Sequence, residues 1–333
     1  MRAEHRLQGL WKPLVPALLA VLTVLVGLPV IGCGDEGKER RRLTVSAVIG
    51  LDFTPNAVHA PIYTAVRKRL DEKHGVSLRI RPPGSSPDSL KLLSSGRADV
   101  AVLDIHDLGL ARERGADVVG VGALVQRPLA AIIAQPDIRR PRDLEGRRVG
   151  VSGLPSDPAV LRAVVEGDGG RYREVRQTTI GFAAVPNLIE KKIDAVPAFW
   201  NAEGVTLRQR GVRTREFRVD DFGAPPYPEV VLFTTRRTLE RRRGMVQGIL
   251  RALRDGTESV LADPEPAIRE IVRAGGGDER LVRAQLKAVA PAFRPPLSLN
   301  RRALERWADF DERFGILRRR PDVGRAFEFD LID

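Results

Sequence analysis

From residue 43 onward, apolar stretches of two lengths alternate along the chain. Short runs read as strands: Leu43–Ile49, Val76–Ile80, Val100–Leu103 and Val118–Val125. Between them lie stretches read as helices: 57–73, with Ala57, Val58, Pro61, Ile62, Ala65 and Val66 near its start, then Asp88–Ser95 and 105–114. After Pro128–Gln135, residues 136–147 turn polar and hold Pro136 and Pro141. The alternation restarts at Arg148–Val151. A helix to about Glu166 follows, with Ser156-Asp157-Pro158 as its N-cap and first turn. Strand Val175–Ile180, helix 185–192 and strand Ala195–Phe199 continue the pattern. The cluster Pro225-Pro226-Tyr227-Pro228 closes this section, Val230–Thr234 returns as a strand, and the chain is mostly helical from Thr238. Strands alternating with helices predict an α/β fold with mainly parallel sheets and crossover connections.

The two proline-marked breaks divide this pattern into lobe one, 43–135 and 229–333, and an inserted lobe two, 136–228. Crossing segments near 126–135 and 229–235 then form a hinge that permits closure around a ligand. Leu93-Ser-Ser-Gly-Arg-Ala-Asp99-Val-Ala and Leu188-Ile-Glu-Lys-Lys-Ile-Asp194-Ala-Val share one scheme: a helix end, a basic turn, and an aspartate opening a strand. They are either the trace of two similar lobes or two ordinary helix-to-strand turns. In open α/β sheets, ligands bind outside the strand ends such turns lead to.

The N-terminus sets the compartment. Arg2, Arg6 and Lys12 precede an uncharged apolar run, Leu14–Ile31, which ends in Val30-Ile31-Gly32-Cys33. That is the layout of a secretory signal over residues 1–32. A cysteine directly after a small residue resembles the bacterial lipobox, which implies acylation of Cys33. The expectation is an exported protein, lipid-anchored to the outer face of the cell membrane through a polar tether, 33–42. An uncleaved membrane helix is the alternative, since 18 apolar residues reach the lower limit for a span. Cys33 is the single cysteine, so no disulfide can form within the chain.

The formal charge is +12. The basic residues are almost all arginine and are spread along the chain, with no basic stretch interleaved with aromatics. A solvated arginine-rich surface beside an anionic membrane accounts for this, and no nucleic-acid partner is expected.

Enzyme motifs are lacking. Gly32–Lys38 has the G-x-x-x-x-G-K spacing of a phosphate loop, but Glu39 stands where Ser or Thr should hold the metal. The four histidines, His5, His59, His74 and His106, include no pair at metal-ligand spacing. No G-x-S-x-G elbow occurs. The expectation is a binding module with no catalytic residue, no cofactor and no metal.

The segment Leu51–Tyr63 falls between the first strand and the first helix, at the sheet edge where a ligand would sit. Asn56 offers donor and acceptor to a heterocycle edge, and Phe53 and Tyr63 offer stacking faces. The same residues read equally as a helix cap, core packing and, for His59, a structural helix position. Asp104 can read ligand or cap the next helix, and Ser152–Asp157 can hold an anion at a helix start, which Asp157 would oppose.

Leu51-Asp52-Phe53-Thr54-Pro55-Asn56-Ala57-Val58-His59 resembles the signature of the binding proteins that take up pyrimidine precursors of thiamine, with Phe53 where tryptophan is common. Arg114–Gln126, Pro141–Gly150, Trp200-Asn201-Ala202-Glu203 and Gly223–Glu229 extend the likeness over about 43–235. The resemblance implies a two-lobed type II periplasmic-binding fold. It also implies an aminopyrimidine ligand, such as hydroxymethylpyrimidine or its formylamino relative, and an ABC permease and ATPase in separate chains. Carried over by motif, the candidate ligand contacts are Asp52, Phe53, Asn56, His59, Trp200, Asn201, Glu203 and Tyr227, with Glu203 as the carboxylate for the amino-pyrimidine edge. The competing readings are a sulfonate or nitrate-like ligand, a sensor, and a fold-related enzyme of pyrimidine synthesis. The enzyme's cysteine-rich motif is missing here.

Overall fold

The computed structural model describes residues 44–83, 89–153, 156–181 and 183–332. Cys33, the apolar run before it and the tether lie outside them. The first half-sheet is built from β1 (Val45–Gly50), α1 (Ala60–Arg67), α2 (Leu70–Lys73), β2 (Val76–Arg81), α3 (Ser89–Ser94), β3 (Val100–Asp104), α4 (Ile105–Glu113) and β4 (Val118–Val125). The chain then crosses into β5 (Ala130–Ala134), β6 (Arg148–Val151), α5 (Asp157–Gly167), β7 (Arg176–Thr179), α6 (Ala184–Ile189), β8 (Ala195–Phe199), α7 (Glu203–Gln209) and β9 (Arg215–Arg218). It returns through β10 (Val230–Thr235) and ends in α8 (Arg236–Ala262), α9 (Glu265–Gly275), α10 (Glu279–Val289), α11 (Arg301–Arg313) and α12 (Val323–Ala326).

Two five-stranded sheets result, in the orders β2-β1-β3-β10-β4 and β7-β6-β8-β5-β9. They obey one plan. Four strands of each sheet point the same way, and the strand that has just crossed from the other sheet inserts antiparallel: β10 between β3 and β4, β5 between β8 and β9. Each sheet is therefore mainly parallel with one antiparallel strand, because a crossing strand enters from the opposite side. Burial follows position. Every residue of interior strand β5 is buried, and so is every residue of β4, an edge strand whose free side is bridged by Leu297 and Phe327, whereas edge strand β7 (Arg-Gln-Thr-Thr) is exposed throughout.

Three sequence expectations shift. The second sheet already begins at β5, inside 126–135 and before residue 136. Ala-Ala-Ile-Ile-Ala carries no alternation to mark it as a strand, because both its faces are covered. The single helix expected over 57–73 is broken into a short 3-10 turn, α1 and α2, with Arg69 in the left-handed region at φ 54°. β9 and α7 were not anticipated at all.

The internal echo is structural. Asp99 accepts the backbone N–H of Val48 at 2.9 Å and Asp194 that of Arg148 at 2.8 Å. In return, the N–H of each aspartate donates to the carbonyl of the same partner, at 2.8 and 2.7 Å. Each carboxylate thus pins the strand it opens, β3 or β8, to the neighbouring parallel strand, β1 or β6, at the equivalent point of each sheet.

Candidate functional site

A cavity of about 440 Å³ lies where the two sheets face each other, within the range of small-molecule sites. The loop after β1 supplies Asp52, Phe53 and Asn56 to its wall. His59, fully buried, donates from Nε2 to Asp52 Oδ1 at 2.7 Å, while its Nδ1 accepts the backbone N–H of Asn56 at 3.2 Å. That acceptor role fixes the tautomer with hydrogen on Nε2, so His59 lies behind the wall and aims Asp52. Asn56 caps the 3-10 turn: its Oδ1 accepts from the Val58 N–H at 2.9 Å and its Nδ2 donates to the Thr54 carbonyl at 3.0 Å. The two readings of Asn56 meet here, since it caps the turn and lines the cavity.

The second sheet brings Asn201 and Glu203 to the same cavity through the turn from β8 to α7. Glu203 accepts the Phe199 N–H at 3.0 Å. Its side chain keeps part of its surface open to the cavity, yet burial from bulk water raises its pKa against the opposing pull of backbone hydrogen bonds. Asn201 is 1% exposed and its Oδ1 has no hydrogen-bond partner. Trp200 and Tyr227 are not among the lining residues. Trp200 is buried, donates from its indole to the Pro128 carbonyl at 3.1 Å, and carries the Arg218 guanidinium over its ring at 4.2 Å. It anchors the crossing segment. Tyr227 is fully buried, with its hydroxyl 3.1 Å from His106 Nε2.

The floor of the cavity holds groups outside the candidate ligand contacts. Asp104, at the end of β3, caps α4 by accepting the His106 N–H at 2.8 Å. Glu229, at the start of β10, accepts the N–H of Leu129 at 2.6 Å. Carboxylate oxygens of Asp104 and Glu229 lie within 4.8 Å of each other, and burial with their mutual repulsion pushes Asp104 well up, while burial raises Glu229. His106 contacts Asp311 Oδ1 through Nδ1 at 2.6 Å. Burial opposes the charging of His106, but Asp311, Asp104 and Asp107 together carry its pKa up to about 9. Burial raises Asp107 to about 6. Burial also lifts Asp311, with His106 pulling the other way. The signals available in the sequence were Asp104 after a strand and Glu229 at the end of the Gly223–Glu229 signature; His106 had none, because its side-chain partners Asp311 and Tyr227 lie more than a hundred residues away.

The stretch 152–157, which could hold an anion against the opposition of Asp157, is filled from within by that residue. Asp157 Oδ2 accepts from the Ser152 N–H and hydroxyl, both at 2.6 Å, and from the Gly153 N–H at 3.1 Å. Ser156, expected to cap α5, makes no side-chain cap bond. Asp52, Asp104, Asp107, Asp157, Glu203 and Glu229 line the cavity; among the described lining residues there is no lysine or arginine, and His106 is the one basic group. From α9 and α10, Gly275, Leu281 and Gln285 complete the wall, a contribution from the helical C-terminal region that no motif announced.

The family model NMT1/THI5 like matches residues 56–267. A formylaminopyrimidine-binding protein of Halalkalibacterium halodurans is 29% identical over 262 residues, covering 78% of each chain. A 4-amino-5-hydroxymethyl-2-methylpyrimidine phosphate synthase of Legionella pneumophila is 25% identical over 234 residues, covering 67% of this chain and 72% of its own. Among solved structures, the periplasmic aliphatic sulphonate binding protein of Escherichia coli superposes with a TM-score of 0.70 at 17% identity, covering 84% of this chain and 96% of its own. At that identity the likeness shows the fold: two lobes of the periplasmic-binding type.

Proposed function

This chain belongs to the NMT1/THI5-like family, and on that premise we propose that it is an exported solute-binding lipoprotein. It closes two lobes around an aminopyrimidine precursor of thiamine and hands it to a separate permease and ATPase. In this reading the first crossing segment ends at β5, lobe two runs from β5 to β9, Cys33 carries the lipid, and the ligand is released chemically unchanged with no cofactor.

The observation that carries the ligand class is the acidic lining. Six carboxyl side chains face the cavity, and among the described lining residues no lysine or arginine does. A sulfonate or nitrate would meet like charge there, and Asp157 already occupies the backbone donors an anion would use. An aminopyrimidine presents N–H donors to acceptors and a flat apolar ring to Phe53, Val160 and Phe199. The name of the Halalkalibacterium relative supports the same class.

The test is calorimetric titration of the full chain in detergent with hydroxymethylpyrimidine, its formylamino relative, thiamine and an alkanesulfonate. Saturable binding of an aminopyrimidine, weakened by Asp52→Asn and Glu203→Gln, is expected. Binding of the sulfonate alone, or turnover of the bound pyrimidine into a phosphate ester, would overturn the reading. For the anchor, Cys33→Ser should release the protein from the membrane fraction.

A further inference from the structure

We propose that Asp104 and Glu229 form a cation seat on the cavity floor, holding one positive charge at all times: a shared proton when empty, the amidinium edge of a bound ligand when full.

Strand register builds the pair. Val230 of β10 lies opposite Asp104 of β3, and the Ile105 N–H donates to the Glu229 carbonyl at 2.9 Å. Carboxylate oxygens of Asp104 and Glu229 and a ring nitrogen of His106 all lie within 4.8 Å of one another. Glu229 Oε2 is committed to the Leu129 N–H and, at 3.4 Å, to the Ala130 N–H. Asp104 Oδ1 is committed to the His106 N–H. The other oxygen of each is left for its neighbour and for the cavity that both line. Two buried carboxylates this close cannot both be ionised without a positive charge between them. His106 stands beside the pair, but Asp311 at 2.6 Å from Nδ1 balances its charge and Nε2 faces the Tyr227 hydroxyl, so one imidazolium among three carboxyl groups leaves the pair one positive charge short. The surrounding ionisable groups do not supply it either. Asp107 on the same helix and Asp52 on the loop above are acids, Tyr227 is a phenol, and Asp220 is a further acid paired with Arg127 at 3.0 Å.

A second feature of the cavity points the same way. Asn201, 1% exposed and on the cavity wall, has an Oδ1 with no protein partner. An acceptor buried without a donor is costly unless the ligand brings one. Pairing acceptors with a planar array of N–H donors is what an amidinium does, and its parallel N–H bonds match carboxylate geometry. An amidinium that arrives charged displaces the shared proton to solvent. An aminopyrimidine that arrives neutral takes that proton onto a ring nitrogen, and nothing is released. The pyrimidine half of this inference rests on the ligand class proposed above; the amidinium half does not.

The experiment titrates the full chain in detergent with benzamidine, with its uncharged isostere benzamide, and with hydroxymethylpyrimidine, each in two buffers of different ionisation enthalpy. Benzamidine should bind at least about tenfold tighter than benzamide, as expected for a charge-assisted pair, and with proton release. Asp104→Asn and Glu229→Gln should each cost about tenfold in benzamidine affinity and abolish the release. Because each amide variant relieves the repulsion, the melting temperature of the empty protein should hold or rise, which separates loss of the seat from loss of the fold. Equal binding of benzamide, undiminished binding in both variants, or saturable Zn²⁺ binding that excludes benzamidine would overturn the seat. Benzamidine binding without any pyrimidine binding would instead sink the ligand assignment and leave the seat standing.

Discussion

Glu229, on the segment returning from the second sheet, accepts the backbone N–H of Leu129, on the segment leaving the first, at 2.6 Å. One carboxylate therefore ties both crossing segments together while its residue lines the cavity beside Asp104. Glu229→Ala leaves the Leu129 N–H buried and unpaired and should cost about 1–3 kcal/mol. Glu229→Gln keeps an acceptor oxygen for that N–H and relieves the repulsion with Asp104, so its stability should hold or rise. Urea unfolding of the two variants checks the difference.

Gly275, at the end of α9, lies against Pro55, and a β-carbon there would overlap the Pro55 carbonyl oxygen. Backbone cannot swing aside as a side chain can, so Gly275→Ala must move the loop that holds Asp52 and Asn56. The expected result is a stability loss of about 1–3 kcal/mol together with weakened aminopyrimidine binding. Wild-type affinity in this variant would show that the loop does not position the ligand.

The carboxylates of Asp99 and Asp194 do one job in two sheets, each holding a backbone N–H of the neighbouring strand. Asp194→Ala should cost about 1–3 kcal/mol. Asp99→Ala should cost more, because Arg242 makes a close ion pair with Asp99, whereas Arg148 stands 3.6 Å from Asp194. Denaturant titrations of the two single variants give the order directly.

His106 should make the protein less stable as pH rises. Its folded pKa of about 9 lies above its ordinary value of 6.5, so its stabilisation is full below about pH 6.5 and is lost through pH 9. The shift corresponds to on the order of 3 kcal/mol. Asp107, raised to about 6, acts in the same direction at lower pH, because the unfolded chain ionises there first. Unfolding free energies measured from pH 6 to 10 should fall in the wild type and fall much less in His106→Gln. Parallel profiles would show that His106 is not charged in the fold.

Local pattern carried far. Ala195–Phe199, Val118–Val125 and Arg148–Val151 are strands at the residues their apolar runs marked. The motif 51–59 places Asp52, Phe53 and Asn56 on the cavity wall, with His59 behind it. Trp200 and Tyr227 were grouped with them because a motif lists neighbours in sequence, not the direction a side chain takes. Both turn into the packed interior, where Pro128 and His106 meet them.

By itself the sequence determined the α/β alternation, most of its strands and the polar loop after β1, since these follow from local periodicity and turn chemistry. Only the tertiary structure decided the antiparallel insertion of β5 and β10, the filling of the anion seat by Asp157, and the meeting of Asp104, His106 and Glu229. The physical reason is distance along the chain. Asp104 and Glu229 meet through strand register, His106 meets Asp311 through helix packing, and burial then sets their protons, an outcome that no short window of residues encodes.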